Sequence, residues 1–234
     1  MRNVAVILAG GTGSRMGSPV PKQFLDLAGK PVIAYSLEVF CHHPAIDEVA
    51  VVVHPDWRQR MEEIAASGGW EKLKRVVDGG SERYMSSLNA IMAYIDEPAD
   101  TNLLFHDAAR PWVSAAIVDR VVAALEHDEA VGVAVPSSDT VWEVRPDIEG
   151  VWTGDMMPRF VARVPERKLM WRAQTPQAFR LPLIRDAYQR ALQDPQFHAT
   201  DDCGVVRRYM PGTKIAVVEG EERNKKITYA EDMV

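Results

Sequence analysis

The residues best suited to chemistry begin near the N-terminus. An apolar run at residues 4–9 leads into Gly10-Gly11-Thr12-Gly13-Ser14-Arg15-Met16-Gly17, and Pro19, Pro21 and Lys22-Gln23-Phe24 follow. Glycines such as Gly10, Gly11 and Gly13 let a backbone approach a phosphate closely and point N–H groups at it. Arg15 and Lys22 add two positive charges within one loop length. The combination suits a triphosphate whose charge must be neutralised as a nucleophile approaches. Two other phosphate loops fit less well. A Walker A loop ends in Gly-Lys-Ser/Thr, whereas Gly17 is followed by Ser18 and Pro19. A dinucleotide loop shares the Gly11-Thr12-Gly13 opening but needs a helix at once, where Pro19 and Pro21 intervene.

Further candidates recur downstream. Gly79-Gly80-Ser81-Glu82-Arg83, with Ser86, is a tight turn able to present backbone amides, and equally an ordinary strand-to-helix connection. His106-Asp107-Ala108-Ala109-Arg110-Pro111 closes another apolar run. An acid at the carboxyl end of a parallel strand stands where ligands gather. It can hold Mg²⁺ against triphosphate oxygens or contact an acceptor. Arg110 reads either as a functional cation or as a partner for a nearby carboxylate. His106 ends a buried strand, which favours a structural imidazole over a base. His42, His43, His54, His127 and His198 have no ligand-like spacing and read as surface or capping residues. Ser138-Asp139-Thr140, Arg167, the stretch 171–179 with Thr175, Thr200-Asp201-Asp202 and Asn224-Lys225-Lys226-Ile227-Thr228 complete the set. Taken alone, Thr140 is a strand threonine and Thr200 a helix N-cap.

These positions need a frame. Apolar runs at residues 4–9, 48–53, 73–77, 102–106, 131–135 and 214–219 predict strands. Helical patterns at 31–42, 56–66, 82–94, 115–126, 181–192 and 201–209 fall between or after them. Strands alternating with helices mean parallel βαβ units, and strands with little polar alternation mean a sheet covered on both faces. The rhythm breaks at 138–165, where β-like pieces at 140–144 and 159–164 predict a two-stranded arm. Such an arm cannot bury Val141, Trp142, Trp152, Met156, Met157 and Phe160 by itself. A partner subunit is one solution; folding back onto its own domain is the other.

Composition narrows the classes. The 27 basic and 33 acidic residues give a formal charge of −6, against the basic footprint of a nucleic-acid binder. No apolar run approaches the roughly 18 residues of a membrane span. Cys41 and Cys203 fit no metal spacing and read as reduced thiols of a cytoplasmic protein.

Residues 8–16 and 21–24 match the strand, Leu-Ala-Gly-Gly-x-Gly-x-Arg-Met and Pro-Lys-Gln-Phe elements of the sugar-phosphate nucleotidylyltransferases. With the other motifs in order along nearly the whole chain, the sequence resembles that family. Its closest likeness is to the branch of 2-C-methyl-D-erythritol 4-phosphate and ribitol-5-phosphate cytidylyltransferases. The resemblance implies one Rossmann-like α/β nucleotidyltransferase domain over residues 1–234, with a mostly parallel sheet flanked by helices and a protruding β-arm. It implies transfer of CMP from CTP to a sugar-alcohol phosphate with Mg²⁺ or another divalent cation. Arg15, Lys22 and Lys226 would be catalytic, and Gly10, Gly11, Gly13, Gly80, Ser81 and Ser86 would hold the nucleotide. Asp107, Thr140, Arg167, Thr175 and Thr200 would meet the acceptor, and Asp107 also the metal. The family exchanges its arm between two subunits, so Thr140 and Arg167 would complete the partner's pocket in a homodimer.

Departures bear on the acceptor. Ala9-Gly10-Gly11 is shared with ribitol enzymes, whereas methylerythritol enzymes usually read Ala-Ala-Gly. Thr200-Asp201-Asp202 and His106-Asp107-Ala108-Ala109-Arg110 lean the other way. Arg223 stands where many members place an aspartate, so no second metal carboxylate is matched. The expectation is therefore 2-C-methyl-D-erythritol 4-phosphate as acceptor, with D-ribitol 5-phosphate as the alternative. A CTP-binding module without turnover is a distant third, because the cationic residues are all present.

Overall fold

A computed structural model describes residues 1–11, 17–146 and 159–233. Strand β1 (Arg2–Ala9) is followed by a small hairpin of β2 (Asp26–Leu27) and β3 (Lys30–Pro31), then by α1 (Val32–His42). Next come β4 (Glu48–Val53), α2 (Arg58–Gly68), β5 (Leu73–Asp78), α3 (Arg83–Ala93), β6 (Thr101–Asp107), α4 (Ala115–Leu125) and β7 (Ala130–Pro136). The arm strands are β8 (Glu143–Pro146) and β9 (Arg159–Arg163). The chain closes with β10 (Trp171–Arg180), α5 (Leu181–Ala191), α6 (Asp202–Tyr209) and β11 (Ala216–Glu219).

Seven strands form one sheet in the order β11-β7-β10-β6-β1-β4-β5. All pairs are parallel except those of β10, which runs antiparallel between β6 and β7. The alternation of β1 explains its continuous apolar sequence. Ala5, Ile7 and Ala9 enter one core with Ile33, Leu37 and Phe40 of α1 and Ile117 and Val121 of α4. Val4, Val6 and Leu8 enter the other, with Ala90 and Ile91 of α3 and Ile184, Ala187 and Tyr188 of α5. Successive side chains of a strand face opposite sides, so a sheet covered twice must be apolar at every position.

β10 has no counterpart among the strands expected from the sequence. Trp-Arg-Ala-Gln-Thr-Pro-Gln-Ala-Phe-Arg is neither an apolar run nor an alternation, and an internal proline argues against a central strand. The structure accommodates Pro176 because pairing with β7 is interrupted between Gln174 and Gln177. Smaller shifts occur at helix starts. Pro31 is the N-cap of α1 rather than its first residue. α2 starts at Arg58 after a 3₁₀ turn over Pro55–Trp57. Asp201, not Thr200, caps α6 and accepts from Gly204 N at 2.8 Å, as an aspartate N-cap should. Thr140 precedes β8 and is not a strand residue. His43 is a capping residue rather than a surface one: it is the C-cap of α1, 3% exposed, and its Nδ1 accepts from Ala45 N.

β8 and β9 form their own two-stranded antiparallel sheet. Val144, Phe160 and Val161 on it remain exposed, as do Trp142 and Trp171 at its root. Trp152, Met156 and Met157 lie outside the described residues.

From β1 the chain builds outward to β4 and β5, then returns across β1 to lay down β6 on its other side. The carboxyl ends of β1 and β6 therefore flank a topological switch point, where open α/β sheets hold ligands.

Candidate active site

A pocket of about 540 Å³ opens at that switch point. The end of β1 supplies Gly10 and Gly11, the turn before α3 supplies Gly80, Ser81 and Glu82, and α3 supplies Arg83 and Ser86. The end of β6 supplies Asp107, Ala108 and Ala109. Lys22 and Lys226 complete the wall from opposite ends of the chain. Gly13 and Arg15 lie outside the described residues.

Close approach accounts for Gly10 and Gly80, though not for Gly11, beside which a Cβ would meet nothing within 4 Å. A Cβ on Gly10 would stand 2.7 Å from Ser86 Oγ, and one on Gly80 would stand 2.2 Å from Met85 Cβ. Ser86 is buried, and its Oγ accepts from Gly80 N at 3.2 Å. The two glycine turns are thus pressed together through one serine. Gln23, within the Pro-Lys-Gln-Phe element, ties the first glycine turn to the strand that precedes it. Its buried Nε2 donates to Ala9 O at 2.7 Å and Gly11 O at 2.9 Å, fixing the exit from β1. Lys22 Nζ donates to Ile227 O at 2.6 Å, binding this loop to the C-terminal segment.

Asp107 is the electrostatic centre. Lys226 Nζ reaches its Oδ2 at 2.8 Å, Arg83 Nε its Oδ1 at 3.4 Å, and Arg110 Nε its Oδ2 at 3.8 Å. Burial alone would raise the carboxyl, but Lys226, Arg83 and Arg110 overcome it and hold it well below the usual carboxylate range. Arg110 also donates to Asn224 O at 2.8 Å. Asn224 is buried and donates to Gln174 Oε1 and Thr175 O, so the segment carrying Lys226 is pinned to β10. Arg83 turns its Nη2 to the buried Asp202 at 2.9 Å. Neither Arg83 nor Asp202 has a role legible in the sequence alone; their separation hides the pairing, and only the fold unites α3 with α6.

His106 is a structural imidazole, as its place on a buried strand implied. Its Nε2 faces Arg110 O and its Nδ1 faces Thr175 Oγ1, both at 3.1 Å, and its ring packs tilted on Phe40. The carbonyl requires Nε2 to carry the proton, so Nδ1 accepts from the threonine. Burial pushes the imidazole down to about 4.

The expected acceptor residues are dispersed. Asp107 lines the pocket. Thr175 is buried behind it, where its Oγ1 accepts from Asp107 N at 3.1 Å. Thr140, Arg167 and Thr200 are exposed and do not line the pocket; Arg167 Nη1 donates to Ser138 O at 3.3 Å. Cys41 and Cys203 are free thiols.

Among the described residues no group of three or more His, Cys, Asp or Glu is placed to hold a metal. Mg²⁺ commonly takes one or two carboxylates and completes its shell with water and substrate phosphates. Asp107 fits the role of one such ligand. Glu221 does not add a second, because it does not line the pocket.

The family model described as 2-C-methyl-D-erythritol 4-phosphate cytidylyltransferase matches residues 3–234. A protein of that name from Thermobifida fusca (strain YX) is 47% identical over 99% of this chain and 90% of its own length. A bifunctional ribulose 5-phosphate reductase/CDP-ribitol pyrophosphorylase from Haemophilus influenzae is 37% identical over 99% of this chain and 47% of its own length. The crystal structure of the 4-diphosphocytidyl-2C-methyl-D-erythritol synthase from Anaerococcus prevotii DSM 20548 superposes with a TM-score of 0.82 at 28% identity. It covers 99% of this chain and 94% of that one.

Proposed function

The chain belongs to the 2-C-methyl-D-erythritol 4-phosphate cytidylyltransferase family, and from that premise we propose how its pocket performs the family's reaction. The enzyme is a nucleotidyltransferase that moves CMP from CTP to 2-C-methyl-D-erythritol 4-phosphate, giving the CDP-alcohol and pyrophosphate for isoprenoid precursor synthesis. The observation that carries this reading is the meeting of Lys22 and Lys226 beside two glycine turns in one pocket.

An oxygen of the acceptor phosphate attacks the α-phosphorus of CTP in line, and the bond to the bridging oxygen of pyrophosphate breaks. A phosphate monoester is already anionic at neutral pH, so no side chain need act as general base. This agrees with His106 being fixed by two hydrogen bonds away from the pocket wall. Catalysis rests on positioning and charge neutralisation. Lys22, Lys226 and Arg15 stabilise the crowded α-phosphate and the leaving pyrophosphate. Amides of Gly10, Gly11 and Gly13 cradle phosphates, and Gly80, Ser81 and Ser86 hold the cytidine. Asp107 would hold Mg²⁺, which supplies Lewis-acid neutralisation of the triphosphate when bound.

For the acceptor phosphate we assign Thr140, Arg167 and Thr200 beside Asp107, with Thr175 behind it as the support whose hydroxyl joins Asp107 N to His106. Thr140 and Arg167 stand at the root of the arm, so they would serve the pocket of a second copy in a homodimer. Exposed Phe160, Trp142 and Val144 support this, because an isolated two-stranded ribbon has nothing to bury them. Phe160→Glu should convert the dimer to monomer in sedimentation. An unchanged sedimentation coefficient would count against the arm as the contact. The two free thiols fit a cytoplasmic protein.

D-Ribitol 5-phosphate stays as the second acceptor, favoured by the Haemophilus relative and by Ala9-Gly10-Gly11. Pyrophosphate release with CTP, Mg²⁺ and each acceptor separates the two. Strong preference for methylerythritol phosphate is expected; preference for ribitol phosphate would move the enzyme to CDP-ribitol synthesis.

A further inference from the structure

Asp202 is a carboxylate where the reaction offers no obvious use for one. It is fully buried in the first turn of α6 and belongs to the core side of the sheet rather than the pocket wall. Its Oδ1 accepts from Tyr188 Oη at 2.6 Å. Its backbone N donates to Oε1 of Gln177, itself buried, at 3.0 Å. Gln177 Oε1 also accepts from Cys203 N, and its Nε2 donates to Asp201 Oδ2 at 2.8 Å. The start of α6 is therefore clamped to β10, and the Asp202 carboxylate has one direction left. There it meets Arg83 Nη2 at 2.9 Å.

Arg83 faces two ways. One edge of its guanidinium lies on Asp202, and its Nε lies 3.4 Å from Asp107 on the pocket wall. Lys226 continues the chain of alternating charge from Asp107. A buried ion pair is weak evidence for stability, since a well-packed apolar pair commonly does as well. A pair that aims a cation into a site has a different use: it fixes the geometry of the charge.

We propose that Asp202 is a positioning residue for CMP transfer, holding the Arg83 guanidinium against Asp107 so that Asp107 and Lys226 meet the triphosphate in register. Tyr188 and Gln177 orient Asp202 in turn. The proposal rests on the pocket being the CTP site. Charge balance gives it a signature. With Asp202 present, Lys226, Arg83 and Arg110 face two carboxylates; with an amide in its place they face one. The pocket of Asp202→Asn is therefore more positive but worse ordered. CTP should bind more tightly while turnover falls, a split that partial unfolding does not produce.

The test compares wild type with Asp202→Asn, Arg83→Lys, the double variant and Tyr188→Phe. CTP affinity is read by calorimetry, and kcat by pyrophosphate release. Asp202→Asn should lose on the order of 10²-fold in kcat, the usual effect of a misplacement of about 1 Å, with a CTP dissociation constant lower than wild type. Because Asp202 acts through Arg83, the double variant should be no worse than the poorer single one, where independent sites would multiply. Tyr188→Phe, which keeps the packing and the charge, should lower kcat by a smaller factor with CTP affinity unchanged, and it decides the matter should Asp202→Asn not fold. Wild-type kcat in Asp202→Asn or Tyr188→Phe, weakened CTP binding, or multiplying losses would overturn the proposal. A wild-type chain that binds CTP without turnover would overturn the functional reading instead, and the affinity shift would still decide on Asp202.

Discussion

Two charged clusters sit at opposite edges of the same sheet, and their difference separates structure from function. At the amino edge, Arg2 and Arg75 each pair with both Glu48 and Glu97. Tyr94 Oη donates to Glu48 Oε1, and Arg75 stacks 4.1 Å above the Tyr94 ring while donating to Ala93 O. Two cations meet two carboxylates, and none of the four lines the pocket. At the carboxyl edge, three cations meet two carboxylates, and Asp107, Arg83 and Lys226 line a cavity. A balanced network closes on itself. An unbalanced one beside a cavity is set to receive an anion.

Breaking the amino-edge cluster should cost stability and spare chemistry. Glu48→Ala leaves Arg2 and Arg75 sharing one carboxylate, and truncating a buried partner commonly costs about 3–5 kcal/mol. Urea unfolding should show that loss, while kcat per folded molecule stays at the wild-type value. Lys22→Ala and Lys226→Ala should do the reverse. Each removes one charge facing the triphosphate and should lower kcat by about 10²–10³, with melting temperature little changed. A stability loss in the lysine variants, or a kcat loss in Glu48→Ala, would erase the distinction.

His106 sharpens the comparison at smaller amplitude. Its folded value of about 4 lies below the ordinary 6.5. The unfolded chain therefore binds the proton more readily, and stability is present above 6.5 and lost as pH falls toward 4. The shift corresponds to about 3 kcal/mol at most. Urea unfolding of wild type between those pH values should show this slope, and His106→Asn should flatten it. An equal slope in both would mean that the imidazole is not held neutral by the fold.

The parallel part of the fold was legible because β1, β4, β6 and β7 are buried on both faces and must read as apolar runs. β10 was not, because its hydrogen-bonding is supplied by an antiparallel neighbour on each side while its sequence carries Pro176 and two glutamines. Those glutamines are polar for a reason visible only in three dimensions: Gln174 holds the Asn224 segment and Gln177 holds α6. The site was legible where a motif is local, as in Gly10-Gly11 with Lys22. It was not where charge pairs join distant elements, as Arg83 does with Asp202. Thr200 as a cap failed by one residue, because Asp201 competes for the same N–H groups with a charged oxygen.

The central claim is attack on the α-phosphorus of CTP in the cation-rich pocket. Phosphorus NMR of the enzyme with CTP, Mg²⁺ and 2-C-methyl-D-erythritol 4-phosphate reads it directly. The account predicts two mutually coupled diphosphate resonances of the CDP-alcohol, appearing in step with inorganic pyrophosphate. Release of inorganic phosphate with CDP, or CTP left intact, would contradict it.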